Sequence, residues 1–230
     1  STIQYPLPNH EAGDPFVEAP PNDFIKLVLR IMPGQYATSH LIYSEAISDA
    51  LKQAGVTILG IVRDPRDIVV SFTRYVASQE YHYLFKEYNT MSLEDQITTT
   101  IIGIPELFSP YISYLPILMD INSNVRAYLG WSSQPNAYIT TFEKLVGSQG
   151  GGSDAAQLIE LRNITAHVGA SYNDDQLAEL AQNLFGGSAT FRKGLVGDWQ
   201  NYFTPAHKSI FKKIAGQLLI DLGYESNLDW

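Results

Sequence analysis

Hydrophobic and polar positions along this chain fall into blocks that switch between the period of a strand and the period of a helix. Residues 56–62 (Val-Thr-Ile-Leu-Gly-Ile-Val) form a short apolar run rich in β-branched side chains, the pattern of a buried parallel strand. Two further strands are predicted at 35–40 and 136–142. Helical patterns cover 23–32 (ending at Pro33-Gly34), 44–54 (closed by Gly55), 65–88, a segment opened by Ser92, 117–130, 154–169, 174–184 and 205–222. Thr204-Pro205 supplies an N-cap and a first-turn proline for the last of these. Pro105, Pro110 and Pro116 break the stretch 104–116. Strands alternating with helices predict an α/β fold, a parallel β-sheet flanked by helices. Residues 1–22 are Pro-rich and polar and read as an N-terminal arm, leaving 23–230 as a single domain. No internal repeat is visible.

Composition narrows the classes. At 230 residues the chain is long enough for one α/β domain with a substantial core, and 45% hydrophobic with 12% aromatic content is globular. Fifteen Lys and Arg against 24 Asp and Glu give a net charge of −9, which argues against nucleic acid or an acidic membrane surface as partner. With no cysteine, disulfides and thiolate metal sites are excluded. No apolar stretch approaches the roughly 18 residues of a membrane span, and the first residues carry no basic-then-apolar signal pattern. The expected setting is cytoplasmic.

Two local patterns carry chemistry. In Arg192-Lys193-Gly194-Leu195-Val196-Gly197-Asp198-Trp199, adjacent cations precede a glycine that lets backbone N–H groups approach a compact anion without a Cβ in the way. A bare Arg-Lys-Gly is most often a solvated turn. The second pattern changes those odds. The predicted strand 56–62 runs into Arg63-Asp64-Pro65-Arg66-Asp67, so Arg63 stands at the C-terminal end of a parallel strand and just before a helix start, where open α/β sheets bind ligands. Ser71, eight residues after Arg63, comes back toward the same anion; Arg66 and Arg74 are expected to face solvent or pair with nearby acids. The Gly150-Gly151-Gly152 run lacks the Gly-Lys-Ser/Thr ending of a phosphate loop and reads as a flexible connector.

Together these two motifs, in this order and about 130 residues apart, resemble those of the PAPS-dependent sulfotransferases, which use 3′-phosphoadenosine 5′-phosphosulfate (PAPS) as sulfuryl donor. The resemblance covers roughly residues 33 to 222. It implies a P-loop-NTPase-like sulfotransferase fold, with Arg63, Ser71, Arg192, Lys193 and Gly194 holding the 3′-phosphate. Tyr36-Ala37-Thr38-Ser39-His40-Leu41 is similar to the strand carrying the family's catalytic histidine, so His40 takes the general-base position; Thr38 stands where many members have lysine and Ile42 where proline is usual. Residues 136–145 resemble the family's strand ending in Tyr-Glu-Asp-Leu, with Phe142 in place of the tyrosine that touches the adenine. Phe185 takes the place of the aromatic that stacks on the adenine ring. Asp198 and Trp199 are expected to lock the box rather than touch ligand.

One family element has no counterpart in residues 1–35: the loop of type Pro-Lys-Ser-Gly-Thr-Thr-Trp that cradles the 5′-phosphosulfate. The chain given starts at Ser1 rather than Met, so the expectation is that the loop precedes it; the alternatives are a loss of the loop or its replacement by another segment. The resemblance thus implies transfer of a sulfuryl group from PAPS to a hydroxyl or amine, on a small hydroxylated acceptor, leaving PAP (the 3′,5′-bisphosphate) and needing no metal. The alternative is a non-catalytic PAP- or PAPS-binding relative. A kinase-like enzyme is argued against by the lack of a Walker loop.

Overall fold

Short polar side chains fix where the helices begin. The computed structural model of the chain describes residues 30, 32, 34–38, 40–108, 116–186 and 192–230, and only the backbone of 105–108 and 116–117. Helix α1 (Glu45–Gln53) starts at Ser44, whose hydroxyl accepts from the Ile47 amide. Strand β1 (Ile58–Val62) leads into α2 (Pro65–Ser78), followed by α3 (Phe85–Asn89) and by α4 (Leu93–Ile102), which Ser92 caps. Strands β2 (Ile104–Phe108) and β3 (Pro116–Leu118) precede α5 (Ile121–Leu129), capped by Asp120. Strand β4 (Ala137–Thr141) runs into the short α6 (Phe142–Leu145). Helices α7 (Asp154–His167), α8 (Asp174–Leu184) and α9 (Pro205–Asp221) start at Ser153, Asn173 and Thr204, the last two with full capping boxes.

The chain divides into two compact units. One takes Ser1–Val56 and Thr73–Gln134, the other Thr57–Phe72 and Pro135–Trp230. In the first, β2 pairs antiparallel with β3, and Leu51, Leu84, Tyr88, Ile97, Ile101 and Trp131 are buried. A polar chain runs through it: the Thr100 hydroxyl meets the hydroxyls of Thr73 at 2.8 Å and Tyr88 at 2.9 Å. Burial pushes the Tyr88 phenol up to about 12.

In the second unit β1 and β4 pair in parallel, with Ile58 opposite Ala137 and Val62 opposite Thr141. Helix α7 packs on β4, on α6 and on α8. A parallel sheet with helices against it is the α/β class that the periodicity predicts. Val69, Val70, Leu161, Leu177, Phe211 and Leu218 are buried.

Four elements differ from expectation. The strand expected over 35–40 does not form among the described residues: 35–38 and 40 join no ladder, and a strand exists only by pairing. The helix expected over 65–88 breaks at 79–84, where the His82 ring accepts from the Leu84 amide at 3.1 Å and stacks on Tyr83. Pro105 and Pro116 sit in a short antiparallel pair rather than an irregular break; the register slips between Ile104 and Phe108, as a missing donor requires. Strand β1 is not buried on both faces: Leu59 is 44% and Ile61 60% exposed, because β4 is its one ladder partner among the described residues. The arm at 1–22 and most of the helix expected at 23–32 lie outside the described residues.

Candidate functional site

The end of β1 and the segment 192–202 meet within the second unit. Arg63 follows the last residue of β1, and its Nη2 donates to the Leu195 carbonyl at 2.5 Å. The same guanidinium lies 3.4 Å from Asp67 Oδ2, and its Cζ sits 4.2 Å over the centroid of the Phe142 ring. Its Nε is buried and has no hydrogen-bond partner. A buried donor of this kind rarely stays unmatched.

Arg192 and Lys193 converge on one carboxylate. Arg192 Nη2 lies 2.7 Å from Asp198 Oδ2, Lys193 Nζ lies 3.1 Å from Oδ1, and Asn201 Nδ2 donates to Oδ1 at 3.1 Å. Burial alone would raise the Asp198 pKa, but the bonds from Arg192, Asn201 and Lys193 reverse that and hold it below the usual carboxylate range. The Tyr202 hydroxyl lies 3.1 Å from Lys193 Nζ and 3.4 Å from Arg192 Nη1, and with Asp198 it raises the lysine pKa. Asp198 thus locks the box as the sequence suggests, while Tyr202 is a partner that sequence reasoning left without a role; its place ten residues after Arg192 in a short helical turn was the available signal.

Backbone shape lets the box close. Gly194 has φ +63° and Gly197 +75°, the left-handed region that suits glycine. Behind them stands the Gly147–Gly152 segment, which is not a flexible connector. Gly150 is buried, its carbonyl accepts from the Val196 amide at 2.9 Å, and a Cβ on it would lie 2.6 Å from the Gly194 oxygen.

Of the two expectations for Arg66, pairing with nearby acids holds and solvent exposure does not: it is buried. It binds both oxygens of Asp64 (Nε to Oδ1 at 3.0 Å, Nη2 to Oδ2 at 2.7 Å) and reaches Glu225 at 2.5 Å. Its Cζ lies 4.2 Å over Trp199 and 4.6 Å over Trp230. Burial opposes its charge, yet Asp64 and Glu225 raise its pKa. The Asp64 amide in turn donates to Glu143 Oε1, and Tyr224 caps the other Glu143 oxygen.

The remaining expected residues are placed less tightly. Ser71 is exposed on α2, and Phe185 is half-buried just past the end of α8, with residues 187–191 after it outside the described set. His40 belongs to the other unit. It is exposed as a residue, yet desolvation of its ring disfavours the imidazolium and lowers its pKa. The chain beyond it is anchored: Trp131 Nε1 donates to the Leu41 carbonyl at 2.8 Å, and the Tyr43 amide donates to Ala127. His82, His167 and His207 are structural: His82 and His207 accept backbone amides through their rings, and His167 Nε2 meets the Ile58 carbonyl. Among the described residues there is no cluster of three or more metal-ligating side chains, and no helix is long and apolar enough to cross a membrane.

The second unit thus has a parallel strand pair with Arg63 at a strand end, bonded to a basic segment opened by two glycines. Comparison with known proteins narrows this. No family model matches the chain. It is 23% identical over 73% of its length to Cytosolic sulfotransferase 17 of Arabidopsis thaliana, and 22% identical over 85% of its length to Cytosolic sulfotransferase 16 of the same plant. It covers 50% and 63% of those proteins, so the chain spans less than two thirds of the curated relatives it matches. Among solved structures it superposes on a mouse sulfotransferase complexed with PAP at a TM-score of 0.64, with 20% identity over 97% of this chain and 86% of that one. A retinol dehydratase in complex with androsterone and inactive cofactor PAP gives 0.58, with 17% identity over 85% of this chain and 57% of that one. The chain is thus similar in sequence to cytosolic sulfotransferases, and its fold is the one seen in a sulfotransferase structure.

Proposed function

We propose that this chain belongs to a sulfotransferase that moves a sulfuryl group from PAPS to a hydroxyl or amine of a small molecule. The observation that carries the reading is the Arg63 guanidinium on the Leu195 carbonyl, a bond between the two sequence motifs that supports one shared site. In this reading Arg63, Arg192 and Lys193 hold the 3′-phosphate with Ser71 and the Gly194 amide through charge-assisted bonds weakened by solvent screening. Phe142 and Phe185 flank the adenine. PAPS supplies an activated sulfuryl group on a 5′-phosphate leaving group. His40 takes the acceptor's proton on its neutral imidazole as the new S–O bond (S–N for an amine) forms and the bond to the 5′-phosphate oxygen breaks, releasing PAP. General-base catalysis of this kind contributes roughly 10²–10⁴-fold. No metal is required, the whole of 23–230 acts as one functional domain, and the setting is the cytosol, as the names of the curated relatives suggest for them.

The test is transfer of labelled sulfuryl from PAPS to a panel of phenols, alcohols and amines by the full-length protein, with loss of transfer in His40→Ala and loss of PAP affinity in Arg63→Ala and Arg192→Ala. Unchanged PAP affinity in both arginine variants would overturn the clamp. A second reading keeps the 3′-phosphate clamp without turnover. A non-catalytic PAP-binding relative predicts thermal stabilisation by PAP with no transfer at all.

A further inference from the structure

We propose that Asp67, one helical turn into α2, is the positioning residue that holds the basic box against the end of β1. The inference rests on the functional reading above and goes beyond it, since Asp67 reaches the ligand only through other groups. Its residue is 1% exposed, and both carboxylate oxygens are used. Oδ2 accepts the Gly197 amide at 2.8 Å and Oδ1 accepts the Trp199 amide at 2.9 Å. Oδ2 also faces Arg63 Nη2 at 3.4 Å. One carboxylate therefore fixes the backbone of the turn that follows Gly194 and the head of the cation that completes the site.

The division of labour with Asp198 is plain from the atoms. Asp198 binds the side chains of Arg192 and Lys193, so it sets where the two cations point. Asp67 binds neither of those two cations; it binds the main-chain amides of Gly197 and Trp199, and so sets where the whole segment lies. Burial pushes the Asp67 pKa up, while Arg63 and the two amides oppose that shift. A carboxylate kept in a dry position by two amides and a cation is costly unless the geometry it enforces is used. Asparagine in its place keeps one acceptor oxygen and turns an amide donor toward Gly197 or Trp199 and Arg63. Glutamate keeps the charge but lengthens the arm by one methylene.

The experiment compares Asp67→Asn and Asp67→Glu with wild type by calorimetric titration of adenosine 3′,5′-bisphosphate and of adenosine 5′-monophosphate, which lacks the 3′-phosphate. Wild type binds the bisphosphate more tightly. In Asp67→Asn that preference drops by about tenfold while monophosphate affinity changes by less than about twofold, and Asp67→Glu recovers part of it. Equal loss for both nucleotides, or no loss for either, overturns the inference. Should the variants fail to fold, amide exchange in the wild type decides: the Gly197 and Trp199 amides gain protection with bisphosphate and not with monophosphate, and unchanged protection overturns it. A wild type that shows no preference for the bisphosphate sinks the functional reading itself, and is thereby told apart from a failure of Asp67 alone.

Discussion

Asp198 is one carboxylate that two cations share. It is buried, and it receives Arg192, Lys193 and Asn201. Asp198→Asn leaves the two cations without a counter-charge, but both are exposed and well screened. The expected cost is therefore about 1–2 kcal/mol, below the full value of buried charged bonds. Because the folded-state pKa of Asp198 is lowered, its contribution is fully present above the ordinary carboxylate pKa and is lost as pH falls through the depressed value. Urea melts should show the difference between wild type and variant at pH 7 and find it shrinking toward pH 3. Asp67, with a raised pKa, works in the opposite sense, and taking the difference at one site cancels it. His40 gives a second residue-scale test. Its pKa is lowered, so the neutral base persists to lower pH than for a free imidazole. The acid limb of kcat/KM should have its midpoint below 6.5 and vanish in His40→Ala; a midpoint above that value would remove His40 from the role.

At the scale of elements, the box depends on a turn that sequence reasoning treated as slack. A Cβ at Gly150 would stand 2.5 Å from the Val146 Cβ and 2.6 Å from the Gly194 oxygen, and neither backbone nor branched side chain yields cheaply. Gly150→Ala should destabilise by about 1–3 kcal/mol and weaken bisphosphate binding several-fold, read by thermal melts and titration. Wild-type affinity in a stable Gly150→Ala protein would show that the turn does not support the box. The turn was illegible because three consecutive glycines look alike whether they flex or pack; only the partner, far along the chain, tells them apart. Helix starts were legible for the opposite reason: Ser44, Ser92, Ser153, Asn173 and Thr204 act on amides three residues away, so their effect is local. The end of α2 was not, because Tyr81, Tyr83 and Leu84 resume the aromatic and apolar pattern past it and the break is made by the His82 ring competing for the Leu84 amide.

Across the second unit as a whole, residues remote in sequence gather around Arg66, and this was hidden from any reading by motif. Arg63 and Arg192 were recoverable because each sits in a patterned run, and the structure bonds Arg63 to Leu195 within the second run. Arg66 was expected to face solvent or pair with nearby acids, and of its partners only Asp64 is near in sequence. Its actual surroundings are Asp64 beside it, Trp199 from the box, and Glu225 and Trp230 from the far end of the described chain. Trp230 also meets Trp199 at 5.5 Å and Phe211 at 6.0 Å between centroids, both edge to face. It therefore closes one side of the pocket that keeps Arg66 dry, and the Arg66–Asp64 pair sits at the first turn of the helix that carries Asp67. Trp230→Ala opens that side to water. Because Trp230 is only part-buried, the expected loss is about 2–3 kcal/mol, somewhat under the range for a fully buried tryptophan. The loss should be communicated to the box through Trp199, so bisphosphate affinity falls together with the melting temperature, whereas Trp230→Phe, which restores an aromatic face over the guanidinium, recovers most of both. A Trp230→Ala protein that melts early yet binds the bisphosphate as wild type does would show the aromatic cluster to be a prop for α9 and not for the anion site.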